Sequence, residues 1–252
     1  MTSFQVQLPD LLQYKRILFI QPHPDDNDIG AGATIAKLAA SGCEIHYLTV
    51  TDGRSGSDDP DLSSEKLIFT RREEQLAAGQ RLGVHSFHWL DYPDGHLEDT
   101  ESLRSDLIWS IRLIRPDAII TVDPWLPYEA HIDHVVTGKV VSYAGLFSGN
   151  PHFFPEHLSS GLALHRVEAI GYYATAQPNT QISVDKYWTH KIEAIRCHQS
   201  QFSGESLQFL EDYLTTQAKT LAVHAKRGSQ FVESFKLLTP LMLHMNTQAF
   251  SM

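Results

Sequence analysis

Apolar residues fall in short runs separated by amphipathic stretches, and that alternation sets the first expectation about the fold. Residues 16–20 form an apolar run that breaks at Gln21-Pro22-His23-Pro24, the pattern of a buried strand ending in a loop. Residues 31–40 carry helical spacing and close at Ser41-Gly42, and a second strand pattern follows at 44–50. Strand, helix and strand in that order form a right-handed crossover unit of a parallel sheet. The pattern repeats as a polar loop at 52–64, a helix at 65–82, a strand at 87–90, a helix at 103–114 and a strand at 118–122. A helix from 134 to about 147 comes next, then a stretch at 146–164 rich in Gly, Ser, Pro and His that reads as a surface excursion. A strand at 168–174 and helices near 186–198 and 207–226 complete the series. Alternation of this kind predicts a doubly wound α/β sheet. No repeat, low-complexity tract or linker interrupts it, so one domain over residues 1–252 is expected.

Composition narrows the partners. Thirty acidic against 20 basic residues give a formal net charge of -10, a field that repels phosphate backbones and anionic lipid headgroups, so neither nucleic acid nor membrane is expected. No stretch has the apolar length of a membrane span and the first residues do not read as a secretion signal, which makes the cytoplasm the expected location. Cys43 and Cys197 lie in no ligand spacing and are expected to be reduced thiols.

Two polar clusters stand at expected strand ends, where open α/β sheets bind ligands. One is Pro22-His23-Pro24-Asp25-Asp26-Asn27-Asp28 and the other His131-Ile132-Asp133-His134. Either alone is explained by solvated loop acids or helix caps; together they hold the makings of a metal centre. His23, Asp26 and His134 would supply three ligands of the type zinc takes, leaving a position for catalysis. Asp25, adjacent to a ligand but aimed elsewhere, could take a proton from water, and His131 could face the oxyanion and the leaving amine. Trp125, Tyr128 and Trp89 offer flat faces to a sugar ring, with core packing as the alternative.

These motifs resemble the LmbE/PIG-L family of zinc-dependent N-acetylglucosaminyl de-N-acetylases, over about residues 17–244. Supporting segments are Thr49-Val50-Thr51-Asp52-Gly53, Arg71-Arg72-Glu73-Glu74, Leu82-Gly83-Val84, Leu90-Asp91-Tyr92-Pro93-Asp94-Gly95 and Arg196-Cys197-His198-Gln199-Ser200-Gln201. The stretch 123–129 and the tail 235–244 resemble the branch that acts on diacetylchitobiose. The resemblance implies a single-domain Rossmann-like fold, zinc on His23, Asp26 and His134, Asp25 as general base and His131 facing the tetrahedral intermediate. It also implies that Asp133 orients His131, that Arg71 and Asp94 contact sugar hydroxyls, and that His244 reaches the site of a neighbouring subunit in a trimer or hexamer. A helix-face salt bridge for Arg71, a turn residue for Asp94 and an ordinary surface or core histidine for His244 are the alternatives. Two positions depart from the family pattern: Asp28 stands where Glu is usual, a shorter support for the metal loop, and Ile132 where Pro is usual.

The implied activity is hydrolysis of the N-acetyl group of N-acetylglucosamine units in diacetylchitobiose or short chito-oligosaccharides. Deacetylation of a conjugate such as GlcNAc-malate is the runner-up; its anionic aglycone would want a cation, for which only Arg54 and Arg71 present themselves. An inactive zinc- or sugar-binding protein is a third reading, against which stands the presence of both Asp25 and His131.

Overall fold

The computed structural model describes residues 8–225 and 228–251. Its elements in chain order are β1 (Arg16–Gln21), α1 (Asp26–Ala40), β2 (Glu44–Thr51), α2 (Ser64–Leu82), β3 (Ser86–Tyr92), α3 (Glu101–Ile114), β4 (Ala118–Val122), α4 (Ile132–Phe147) and the single turn α5 (Glu156–Ser159). β5 (Ala169–Tyr173), β6 (Thr180–Ser183), α6 (Trp188–Ile195), α7 (Gly204–Ala225) and β7 (Val232–Leu238) follow. The expected end of the last helix at residue 226 lies outside the described residues.

The strands form a seven-stranded sheet in the order β3-β2-β1-β4-β5-β7-β6. β1 to β5 pair in parallel, and β7 runs antiparallel to both β5 and β6. The parallel, mostly buried strands explain why the pattern was legible: β1, β4 and β5 are covered on both faces and read as continuous apolar runs. Ile17 and Phe19 face a layer built with α1, α2, α6 and α7, while Leu18 and Ile20 face one built with α3 and α4. β6 and β7 were not anticipated. β6 is the four-residue edge segment TQIS, and β7 buries Glu233 and Lys236 within VESFKLL, which breaks the apolar period.

Strand order reverses between β1 and β4, whose carboxyl ends therefore diverge into a crevice at the centre of the sheet. Both polar clusters lie there. Cys43 is buried, Cys197 partly so, and both are free thiols. Among the described residues, no helix is long and apolar enough to cross a membrane.

Candidate metal and catalytic centre

β1 ends at Gln21, and the loop it feeds is folded back by a reciprocal turn: Asp26 Oδ2 accepts from the His23 amide at 2.9 Å. This places Asp26 in the first turn of α1, where a carboxylate is also favoured by the helix dipole. Asp25 takes the N-cap position with φ 112, a left-handed conformation that costs a non-glycine residue about 1–3 kcal/mol. Its side chain does not cap the helix, so the carboxylate is left free for other contacts. From the other side, the β4 loop delivers His131 as the N-cap of α4 and Asp133 and His134 in its first turn.

His23, Asp26 and His134 each present a ligand atom within 4.8 Å of the others, a set that could hold a metal ion. His23 Nδ1 lies 3.2 Å from Asp26 Oδ2, and His134 Nε2 lies 3.4 Å from Asp26 Oδ1. The remaining ring nitrogens are occupied by carboxylates. His23 Nε2 is 3.1 Å from Asp94 and 3.2 Å from Asp133, and His134 Nδ1 is 3.2 Å from Glu129. Ring nitrogens tied in this way fix the tautomer and turn the opposite nitrogen toward the centre, the usual support of a metal-ligating histidine. A second set, His23, His131 and Asp133, also falls within 4.8 Å, but it would use the His23 nitrogen that already faces two carboxylates.

The centre attracts positive charge. Burial disfavours a charged His23, yet its bonds to Asp133, Asp26 and Asp94 outweigh that and push it up to about 12. Burial likewise opposes ionisation of Asp26, but His134 and His23 hold its carboxyl well below the usual range. A cation bound here would meet the same demand that protons otherwise meet.

Asp25 behaves differently. Burial raises its carboxyl and Arg71 opposes, with a further rise from Asp26, to about 6. Arg71 is itself buried, donating to Pro24 O at 2.9 Å, Gly53 O at 3.0 Å and Asp25 Oδ2 at 3.2 Å. Gly53 has φ 71, and a Cβ there would stand 3.0–3.1 Å from the Arg71 guanidinium, so this turn requires glycine. Asp94 Oδ2 accepts from the Ser55 amide at 3.0 Å while Oδ1 faces His23. Burial disfavours its charge, but the bond to His23 prevails and lowers the carboxyl.

The remaining expected residues divide. Asp28 is wholly buried and supports α1 from behind, accepting from Tyr47, Gln75 and His198 at 2.8 Å each. Asp133 turns to His23 and to the amides of Gly95 at 2.7 Å and Leu97 at 3.1 Å, rather than to His131, because its position one residue before His134 carries it inward. The His131 ring packs edge-on against His23 at 4.5 Å and stacks on His134 at 5.0 Å between centroids. Trp125, 56% exposed, stands edge-on to Tyr172, and Tyr128 is fully exposed. Trp89 lies instead under the Arg72 guanidinium, on β3. Arg54 Nε and Nη2 both donate to Asp52 Oδ2. His244 lines a cavity with Leu146, Phe147 and Arg166, at the opposite end of α4 from His134 and so roughly 20 Å away along a helix rising 1.5 Å per residue. Sequence reasoning missed Glu129, Gln75 and the role of His198. Only Glu129, next to the HxDH motif, carried a local signal.

Fold and centre together define a member of a known class. The sequence pattern of the PIG-L family, described as GlcNAc-PI de-N-acetylase, matches residues 18–144, and the chain belongs to that family. It is 37% identical over 230 residues to the diacetylchitobiose deacetylase of Thermococcus kodakarensis, covering 91% of this chain and 85% of that protein. The solved N,N'-diacetylchitobiose deacetylase of Pyrococcus horikoshii, complexed with its inhibitor MPG, superposes with a TM-score of 0.88 at 36% identity, covering 92% of this chain and 87% of that one. A probable N-acetyl-alpha-D-glucosaminyl L-malate deacetylase of Bacillus anthracis is 26% identical, over 79% of this chain and 87% of its own length.

Proposed function

We propose that the protein is a zinc-dependent cytoplasmic deacetylase that hydrolyses the N-acetyl group of diacetylchitobiose or short chito-oligosaccharides, releasing free amino sugar and acetate. The observation that carries this reading is the convergence of His23, Asp26 and His134 on one centre with Asp25 beside it, in a chain alike over nine-tenths of its length to a diacetylchitobiose deacetylase.

Nitrogen and carboxylate donors suit zinc, and zinc held by His23, Asp26 and His134 would supply Lewis acidity toward the acetyl carbonyl and toward water. Asp25 takes a proton from the attacking water, for which a carboxyl raised to about 6 is well matched to neutral pH. Partial burial and the neighbouring His23 and His134 lower His131, so it stays neutral and donates one N–H to the oxygen that gains charge. As the new C–O bond forms and the C–N bond breaks, the proton carried by Asp25 passes to the sugar nitrogen. Arg71 holds Asp25 in place, Asp94, buried with its oxygens on His23 and the Ser55 amide, steadies the His23 ring, and Trp125 offers an apolar face to the sugar. His244 lies too far from its own centre to touch substrate, so a contribution from it would come from another copy in a trimer or hexamer.

The malate conjugate fits less well. Arg71 is buried against Asp25 and Arg54 is neutralised by Asp52, leaving neither free to meet an anionic aglycone. Zinc-loaded protein should release acetate and amine fastest from N,N'-diacetylchitobiose when assayed beside GlcNAc and GlcNAc-malate, with a chelator-treated control. Preference for the malate conjugate would move the protein to thiol biosynthesis, and absence of release from all three would leave a binding protein.

A further inference from the structure

The proposed base sits on a strained peptide, and the structure shows what holds that peptide. The Asp25 amide donates to Gln75 Oε1 at 2.8 Å, and a backbone N–H can only donate, so the Gln75 oxygen must face Asp25. Its nitrogen therefore faces Asp28 Oδ2 at 2.8 Å, and Asp28 is in turn gripped by His198 Nε2 at 2.8 Å and the Tyr47 hydroxyl at 2.8 Å. Gln21 completes the chain. Its oxygen accepts from the Asn27 amide at 2.9 Å, and its nitrogen donates to Gln75 Oε1 at 2.8 Å and Thr49 Oγ1 at 2.8 Å. Gln21, Asn27, Asp28, Gln75 and His198 are all fully buried, so these bonds are shielded from bulk water, while the Asn27 side-chain amide and His198 Nδ1 have no hydrogen-bond partner among the described residues. The two amide orientations are fixed at their ends by backbone N–H groups, and neither can flip without stranding one.

We propose that Gln75 is a positioning residue for the reaction: it holds the left-handed Asp25 peptide so that the carboxylate faces the cleft, and the Asp28 and His198 pair sets the Gln75 amide the right way round. The inference rests on Asp25 being the base. It gives the Arg196-Cys197-His198-Gln199-Ser200-Gln201 segment a part in catalysis from 170 residues away in sequence. Gln75 has no hydrogen bond to His23, Asp26 or His134, so its effect separates from metal binding.

The test measures kcat, KM, zinc per chain and melting temperature on diacetylchitobiose for zinc-loaded wild type, Gln75→Met, the double variant Asp28→Asn/Gln75→Glu, and Asp25→Asn. Gln75→Met should lose about 10–100-fold in kcat, with KM within twofold and zinc content unchanged. The double variant exchanges donor and acceptor between positions 28 and 75 while keeping an oxygen toward Asp25, with His198 neutral in the tautomer whose Nε2 accepts from the amide introduced at position 28, and should recover most of the lost kcat. A Gln75→Met kcat within twofold of wild type, or a loss accounted for by missing zinc or unfolded chain, overturns the proposal. Should Gln75→Met fail to fold, the double variant decides, a near-normal kcat supporting the role and a kcat as low as that of Asp25→Asn refuting it. Near-normal turnover by Asp25→Asn would sink the base assignment itself, a failure distinct from that of Gln75.

Discussion

His134 is held from two sides, by Asp26 at its Nε2 and Glu129 at its Nδ1. Replacing His134 with Ala removes a proposed ligand and should release zinc on dialysis; full occupancy measured by elemental analysis would refute the assignment. Glu129→Gln keeps an oxygen for the His131 amide, which Glu129 Oε1 accepts at 2.8 Å, but puts an N–H donor where the His134 N–H needs an acceptor. Zinc affinity, read by chelator competition, should fall about 10–100-fold, and an unchanged affinity would remove Glu129 from the centre. The contrast between these residues shows what the chain discloses. His23, Asp26 and His134 announce themselves by type and spacing, whereas Glu129 is an ordinary loop acid until folding brings its two oxygens to two different histidines.

At the level of elements, α1 carries Asp26 and Asp28 and must lie close to β5. An added Cβ at Gly30 would stand 2.2–2.7 Å from the Tyr173 ring, which is buried at the end of β5. Gly→Ala within a helix ordinarily stabilises by up to about 1 kcal/mol. Here the overlap should reverse the sign, so Gly30→Ala is expected to lose about 1–3 kcal/mol in denaturant unfolding and to lower activity as α1 is pushed off the sheet. Unchanged stability would mean that the ring swings aside. β1, β4 and β5 were readable because burial on both faces writes each as an apolar run, while β3, half-buried at the sheet edge, was legible only as the short stretch 87–90. β6 and β7 were not, since an edge strand and one with buried Glu233 and Lys236 owe their form to neighbours far along the chain.

For the whole molecule, stability should depend on pH through histidines remote from the centre. Burial, with His85 and His88 adding, pushes His46 down to about 4, and its Nδ1 lies 2.6 Å from Ser86 Oγ. Unfolded histidine titrates near 6.5, so between about 6.5 and 4 the unfolded chain binds a proton that the folded one refuses. Stability contributed by His46 is complete above that window and lost as pH falls through it. His88 and His165, also lowered chiefly by burial, act in the same direction. His23, His198 and Asp25, all raised in the fold, act in the opposite direction, so the readout is the difference: from pH 7 to 4.5 the melting temperature of His46→Asn should gain on that of the wild type, and parallel slopes would place the sensitivity elsewhere.

The sequence alone determined the alternating α/β order, the two polar clusters at strand ends and the residue types of a metal hydrolase, because each is written locally as a period or a motif. It also carried the net acidic charge, on which the expectation of no nucleic-acid partner rests. The parallel pairing of β1 with β4 that brings the clusters together, the left-handed backbone of Asp25, the turn of Asp133 toward His23 and the buried chain of amides through Gln75 to His198 were decided only in three dimensions. The reason is physical: a buried polar group is satisfied by whichever partner the packed sheet places within about 3 Å, and that partner's distance along the chain leaves no mark on either segment.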